Sequence, residues 1–201
     1  RRARLKRIIF ASRNRGKIEE IRAMLAGTGI ELLSLLDYPS IPEIEEDGST
    51  FLENALKKAK TVADSTGEAS LADDSGIEID FLGGKPGIYS ARYSGPGATD
   101  EKNNRKVLSE LDGLPLEKRT ASFRCVLVLY CPGGQFKVFE GSWEGMIGFE
   151  PRGTLGFGYD PIFVDPQLQK TAAELVPEIK NRVSHRAQAF RKLKDGLSAQ
   201  G

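Results

Sequence analysis

The chain has 201 residues, 39% hydrophobic and 28% charged, which is the make-up of a folded protein and enough length to bury a core without disulfides or a structural metal. Its formal net charge of +1 excludes the broad cationic surface that holds nucleic acid through phosphates. No apolar run approaches the roughly eighteen residues that cross a bilayer, so a cytoplasmic protein is expected, with no nucleic-acid and no membrane partner.

Leu5 to Ala11 reads as a short buried strand centred on Ile8, Ile9 and Phe10, and Ser12 to Gly16 as a polar turn into a helix. In that helix Ile18, Ile21 and Leu25 recur at helical spacing, and Gly27 and Gly29 bracket its end before the apolar segment Ile30 to Leu36. A second helix is predicted over Thr50 to Ser65. Its inner face holds Leu52, Ala55, Leu56, Ala59 and Ala63, and its polar face Asn54, Lys58 and Thr61, with Lys58 unpaired.

Two short strands, Ala69 to Ala72 and Ile77 to Phe81, are expected to flank Asp73-Asp74-Ser75-Gly76, and Gly83 to Gly87 a loop. Thr99 to Leu111 reads as a helix capped by Thr99. Thr120 to Tyr130 and Gln135 to Trp143 read as an antiparallel hairpin about Pro132-Gly133-Gly134. Gly153 to Asp160 is a glycine-rich loop, and Ser184 a helix cap before Phe190, Leu193 and Leu197. Cys125 and Cys131, six apart in an apolar stretch without metal-ligand spacing, read as buried thiols.

Several of these segments have the residue types for phosphate chemistry. Between a strand and a helix, Ser12-Arg13-Asn14-Arg15-Gly16-Lys17 can converge backbone amides, a helix N-terminus and a lysine on an anion; it also reads as an ordinary turn with solvated basic residues. Asp73 and Asp74 repel each other unless a cation neutralises them, and a hard cation such as Mg²⁺ prefers carboxylate and phosphate oxygens; the bland alternative is an acidic turn. Glu45-Glu46-Asp47-Gly48 reads foremost as a solvated acidic loop before a helix. His185 is the one histidine, by default a surface or helix-terminal residue, though Ser184-His185-Arg186 gives the last helix a donor-rich start. Phe157 and Tyr159 offer either an aromatic face for a base or core packing.

Seven segments in this order carry a resemblance that no one of them carries alone: FASRNRGKIEE from Phe10, TFLENALKKA from Thr50, LADDSGIEID from Leu71, GGKPGIYSARYSG from Gly83, GFGYDPIF from Gly156, KTAAEL from Lys170 and SHRAQA from Ser184. Together they resemble the inosine triphosphate pyrophosphatase family, also described as XTP/dITP diphosphatases. The resemblance implies an α/β fold with a long twisted mixed sheet and flanking helices. It further implies a single bilobed domain over residues 1–201, its two lobes around a nucleotide-binding cleft, and a homodimer. The implied activity is hydrolysis of non-standard purine nucleoside triphosphates (ITP, dITP, XTP) to monophosphate and pyrophosphate.

By the family's pattern Ser12, Arg13, Asn14, Arg15, Gly16, Lys17 and Lys58 hold the triphosphate. Glu46 and Asp74 hold Mg²⁺, with Asp74 as general base and Asp73 supporting it. Phe157, Gly158, Tyr159 and Asp160, with Lys180, His185 and Arg186, bind the purine and its sugar-phosphate, and Ser75 touches substrate. Three positions depart from the pattern: Ser12 stands where threonine is more frequent, and Leu155 and Ala187 where glycine often stands. The last two bear on base preference.

Overall fold

The computed structural model describes residues 5–198. In chain order its main elements are β1 (Arg7–Phe10), α1 (Arg15–Leu25), β2 (Glu31–Ser34), α2 (Phe51–Thr66), β3 (Ser70–Ile79), α3 (Asp100–Glu110), β4 (Thr120–Tyr130), β5 (Phe136–Ile147), β6 (Phe163–Asp165), β7 (Lys170–Thr171), α4 (Pro177–Val183) and α5 (His185–Ser198). The strands form a mixed seven-stranded sheet in the order β2-β1-β3-β4-β5-β6-β7. β1 runs parallel to β2 and β3, while β6 is antiparallel to β5 and β7. β4 and β5 are neighbours across a turn in which Cys131 N donates to Gln135 O at 2.8 Å; so short a link requires the antiparallel hairpin.

Two compact units divide the chain. The first comprises the described residues up to Asp74, Cys125–Gly141 and those from Arg186 onward; the second comprises Ser75–Arg124 and Ser142–His185. In the first unit, alternation along each strand sorts side chains onto two faces. Ile8, Phe10, Leu71, Cys125, Leu127 and Leu129 pack with Ile18, Ile21 and Leu25 of α1 and Ala189, Phe190 and Leu193 of α5. Ile9, Ala11, Ala72, Val126 and Val128 pack with Ala55, Ala59, Val62 and Ala63 of α2. Burial on both faces explains why these strands read as continuous apolar runs. The second unit has its own core, in which Ile77, Ile79, Phe123, Trp143 and Phe163 meet Val107 and Leu111 of α3. Among the described residues no helix is long and apolar enough to cross a membrane.

Local signals explain most helix starts. Asn14 accepts from Lys17 N, Thr50 from Glu53 N and Thr99 from Lys102 N, each capping its helix as the residue type favours. Other expectations fail for tertiary reasons. The two short strands about Asp73–Gly76 are one continuous strand, β3, so the acidic pair is not in a turn; pairing with neighbours overrides the turn propensity of Asp, Ser and Gly. Phe81 lies outside it, in a short 3-10 turn, and is 55% exposed. The packed face of α2 is rotated from the expected one: Leu52 is exposed, whereas Asn54 and Lys58 are buried. β5 continues to Ile147, four residues beyond its expected end. Cys125 is buried but Cys131 only half so, and both are free thiols. The helix α4, which Ser184 closes by donating its N–H to Lys180 O, had no expectation behind it.

Candidate active site

In the first unit a loop, a helix and a strand bring charges together. Ser12 Oγ accepts from Asn14 N and Asn14 Oδ1 from Lys17 N, so the polar turn is folded by its own side chains at the start of α1. Arg13 donates to Ile41 O, and Arg13, Asn14 and Arg15 are exposed. Lys17 Nζ reaches Asp73 Oδ1 at 2.7 Å.

Because β3 is extended, Asp73 and Asp74 point to opposite faces. Asp73 follows Leu71 onto the α1 and α5 side, where Arg186 Nε and Nη2 each lie 3.3 Å from Oδ2 and Cys125 Sγ lies at 3.7 Å. Arg186 Nη1 also donates to Glu20 Oε2 at 2.5 Å. Burial opposes ionisation of Asp73, but Lys17, Arg186 and Lys58 outweigh it and hold the carboxyl well below the usual range. The same burial, with the neighbouring Asp73 charge, pushes the Cys125 thiol up, so it stays protonated and inert.

Asp74 follows Ala72 onto the α2 side. Lys58, 8% exposed, is not unpaired: its ammonium donates to Glu46 Oε1 and to Asp73 O, each at 2.6 Å. Burial disfavours the Lys58 charge, yet Glu46, Asp73 and Asp74 raise its pKa above the ordinary value. Asp74 Oδ2 is buried and meets no hydrogen-bond donor among the described residues. Burial lifts Asp74 to about 6, Lys58 and Lys17 pulling it down and Glu46 and Asp73 pushing it up. An anionic oxygen with no donor, beside a second carboxylate, suits a hard cation. Among the described residues no group of three or more His, Cys, Asp or Glu is gathered as a cage.

The second unit holds the glycine-rich loop. Gly156 sits at φ +72, and a Cβ there would lie 2.1 Å from Asp160 Oδ2 and 3.2 Å from Lys180 Nζ, so the chain needs glycine for two reasons at once. Asp160 Oδ2 accepts from Phe157 N at 3.0 Å and Lys180 Nζ at 2.6 Å, and that ammonium stands 4.8 Å from the Phe157 ring centre. Phe157 is half-buried. Tyr159 belongs to the core, its hydroxyl donating to Ser90 O at 2.5 Å, and burial raises its pKa.

His185 is not a surface residue. It is 4% exposed and stacks on Phe123 at 4.7 Å with an 11° tilt, and Trp143 lies beyond at 6.4 Å. Ser75 is half-buried in β3, Leu155 is exposed and Ala187 is buried.

The structure thus gathers Lys17, Glu46, Lys58, Asp73, Asp74 and Arg186 in the first unit, and Phe157, Asp160 and Lys180 in the second. Sequence reasoning missed Glu20, Cys125 as a neighbour of Asp73, and Asn54. Glu20 stands one helical turn after Lys17, a spacing that puts both on one face of α1. Asn54 accepts from Gly48 N at 2.7 Å and holds the acidic loop against α2.

A parallel strand-loop-helix opening, a buried lysine and carboxylate cluster, and a separate glycine-aromatic loop define an α/β protein built around fixed charges. The chain belongs to the Ham1 family, which it matches over residues 8–196. It is 56% identical to the dITP/XTP pyrophosphatase of Geobacter sulfurreducens over 97% of this chain and 98% of that one. It is 49% identical to the dITP/XTP pyrophosphatase of Bacillus subtilis (strain 168), with the same coverage. A solved HAM1 protein from Coxiella burnetii superposes with a TM-score of 0.87 at 44% identity, covering 97% of this chain and all of that one.

Proposed function

We propose that the protein hydrolyses non-standard purine nucleoside triphosphates, dITP, XTP and ITP, to the monophosphate and pyrophosphate. The observation that carries this reading is Asp74: a buried carboxylate with one oxygen that meets no donor among the described residues, raised to about 6, beside Glu46 and Lys58. The relatives' name, dITP/XTP pyrophosphatase, supports the substrate class.

Glu46 and Asp74 would hold Mg²⁺, which supplies Lewis-acid charge for the phosphate oxygens when bound. Asp74 takes the proton of the water that attacks the α-phosphorus, a positioned carboxylate being one of the side chains that serve as general bases. Asp73 is unsuited to that step, because Lys17 and Arg186 keep it ionised and occupied. Its task is to hold Lys17. Lys17 and Lys58, with the amides and side chains of Ser12 to Gly16, neutralise charge on the triphosphate and on the departing pyrophosphate. In the second unit Phe157 gives the base a stacking face, and Lys180, which can only donate, favours a 6-keto oxygen over the 6-amino group of adenine. His185, Arg186 and Ser75 complete the substrate contacts that the family resemblance implies. The same resemblance supports a homodimer, which sedimentation of the purified protein tests directly.

A panel of ITP, dITP, XTP, ATP and GTP with Mg²⁺ and pyrophosphate detection tests the reaction. The expected result is at least about a hundredfold higher kcat/KM for the first three over ATP, because a mismatched buried donor is left unpaired. Equal rates on ATP would overturn the base reading, and release of single phosphate with a diphosphate would overturn attack at the α-phosphorus.

Gly156→Ala is expected to raise KM for dITP about tenfold or more, since the added Cβ displaces Asp160 and Lys180 from their pairing. Steady-state kinetics with dITP check it; an unchanged KM would show that this loop does not hold the base.

A further inference from the structure

The glycine-rich loop is gripped from behind by the start of α3, and no residue of that helix has a place in the reading above. Asp100 Oδ2 accepts from Gly158 N at 2.9 Å, and Asn104 Nδ2 donates to Gly158 O at 3.1 Å. Four apart on a helix, the two side chains stand one above the other, so they take both backbone groups of a single residue. Between them Asn103 Nδ2 donates to Ser90 O at 3.3 Å and Ala91 O at 3.1 Å, and Ser90 O is also the acceptor of the Tyr159 hydroxyl. Helix α3 therefore fixes Gly158 directly and Tyr159 through Ser90.

The arrangement costs stability where a purely structural helix would avoid the cost. Asn104 is 5% exposed, and its Oδ1 meets no donor among the described residues. A buried amide that leaves one end unsatisfied is unfavourable compared with an apolar side chain of the same size. Among the described residues its side chain bonds only Gly158 O, next to Phe157. Gly158 itself sits at φ +61, a conformation from which a glycine relaxes easily when nothing holds it.

We infer that Asp100 and Asn104 are positioning residues that set base affinity, by clamping the Gly158 peptide and with it the Phe157 ring and the Asp160–Lys180 pair. The inference rests on the reading that the loop from Gly156 to Asp160 binds the purine. Asp100 is exposed, so Asp100→Ala leaves the core intact. Asn104→Leu replaces the amide by an apolar group of similar volume.

The test measures kcat and KM for dITP, together with inhibition by inorganic triphosphate, which carries phosphates without a base. Each variant is expected to raise KM for dITP about five- to twentyfold with kcat changed less than about twofold, because a loosened peptide misplaces base contacts without touching the reacting atoms. Inhibition by triphosphate should stay unchanged. Asp100→Asn, which keeps an acceptor oxygen, should restore KM to within about twofold of the unmutated enzyme. A normal KM in Asp100→Ala overturns the inference, and so does an equal loss of triphosphate inhibition, which would mark a general loss of structure. Phe157→Ala separates the two readings: if it weakens dITP binding while Asp100→Ala does not, the loop binds the base and the clamp is refuted. If neither matters, the base reading has failed with it.

Discussion

Asp74→Asn is expected to lower kcat about a thousandfold while making the metal-free protein more stable at pH 8. The change keeps the side chain's shape and removes its basicity, and a positioned general base is worth roughly two to four powers of ten. Raising Mg²⁺ and dITP to saturation should not restore the rate; partial rescue would make Asp74 a ligand only. The stability half follows from the raised pKa. A carboxyl at 3.8 when unfolded and about 6 when folded prefers its proton in the folded state. Its ionised form therefore costs stability fully above about pH 6, and the cost vanishes as pH falls below the unfolded value. Two units correspond to about 3 kcal/mol, an upper limit because the replacing amide is also buried without a donor. Chemical denaturation at pH 8 and pH 4 in chelator should show the variant more stable at the first and equal or weaker at the second. In the unmutated enzyme at limiting Mg²⁺, kcat/KM should rise as pH increases through about 6, as Asp74 loses its proton. A flat profile from pH 5 to 8, with normal turnover in the variant, would remove Asp74 from the mechanism.

What was legible in the sequence follows from which interactions are local. Asn14, Thr50 and Thr99 announce their helices because a cap is made within three residues. The apolar runs of β1 and β4 announce strands buried on both faces. β3 misleads, because Asp73-Asp74-Ser75-Gly76 has turn chemistry locally and is kept extended only by its neighbours. The error has a functional side. As a turn, the acids would face one another; in a strand they face apart, and their unequal surroundings hold one ionised and raise the other. Lys58 likewise looks unpaired along the helix, since its partners are Glu46, twelve residues back, and the carbonyl of Asp73, fifteen ahead. The α3 residues at 100 and 104 meet a glycine more than fifty positions away, which no periodicity reveals.

Arg186→Met is expected to destabilise the fold by about 3 kcal/mol as well as to impair activity, because Arg186 is enclosed among charges. It is 2% exposed, and its guanidinium serves Glu20 and Asp73 together. Burial opposes its charge, but Asp73 and Glu20 more than compensate and raise its pKa. Removing one member of such a group leaves the others buried with too little compensation, at a cost of about 3–5 kcal/mol; the lower end applies because Asp73 keeps Lys17. For a chain of this length that lowers Tm by about 10 °C. Methionine retains most of the stem volume, so lost packing contributes little. The pH dependence identifies the partner. Asp73, held below its unfolded value of 3.8, gives stability that is complete above that value and lost as pH falls through the folded one. Without Arg186 part of that contribution is gone, so the gap between the variant and the unmutated protein is widest near neutrality and narrows below about pH 4. Adding Asp73→Asn and Glu20→Gln to Arg186→Met should recover much of the loss, since neutral partners no longer need a cation. A gap that stays constant with pH, or a triple variant as unstable as the single one, would show that Arg186 acts through packing and not through the two carboxylates.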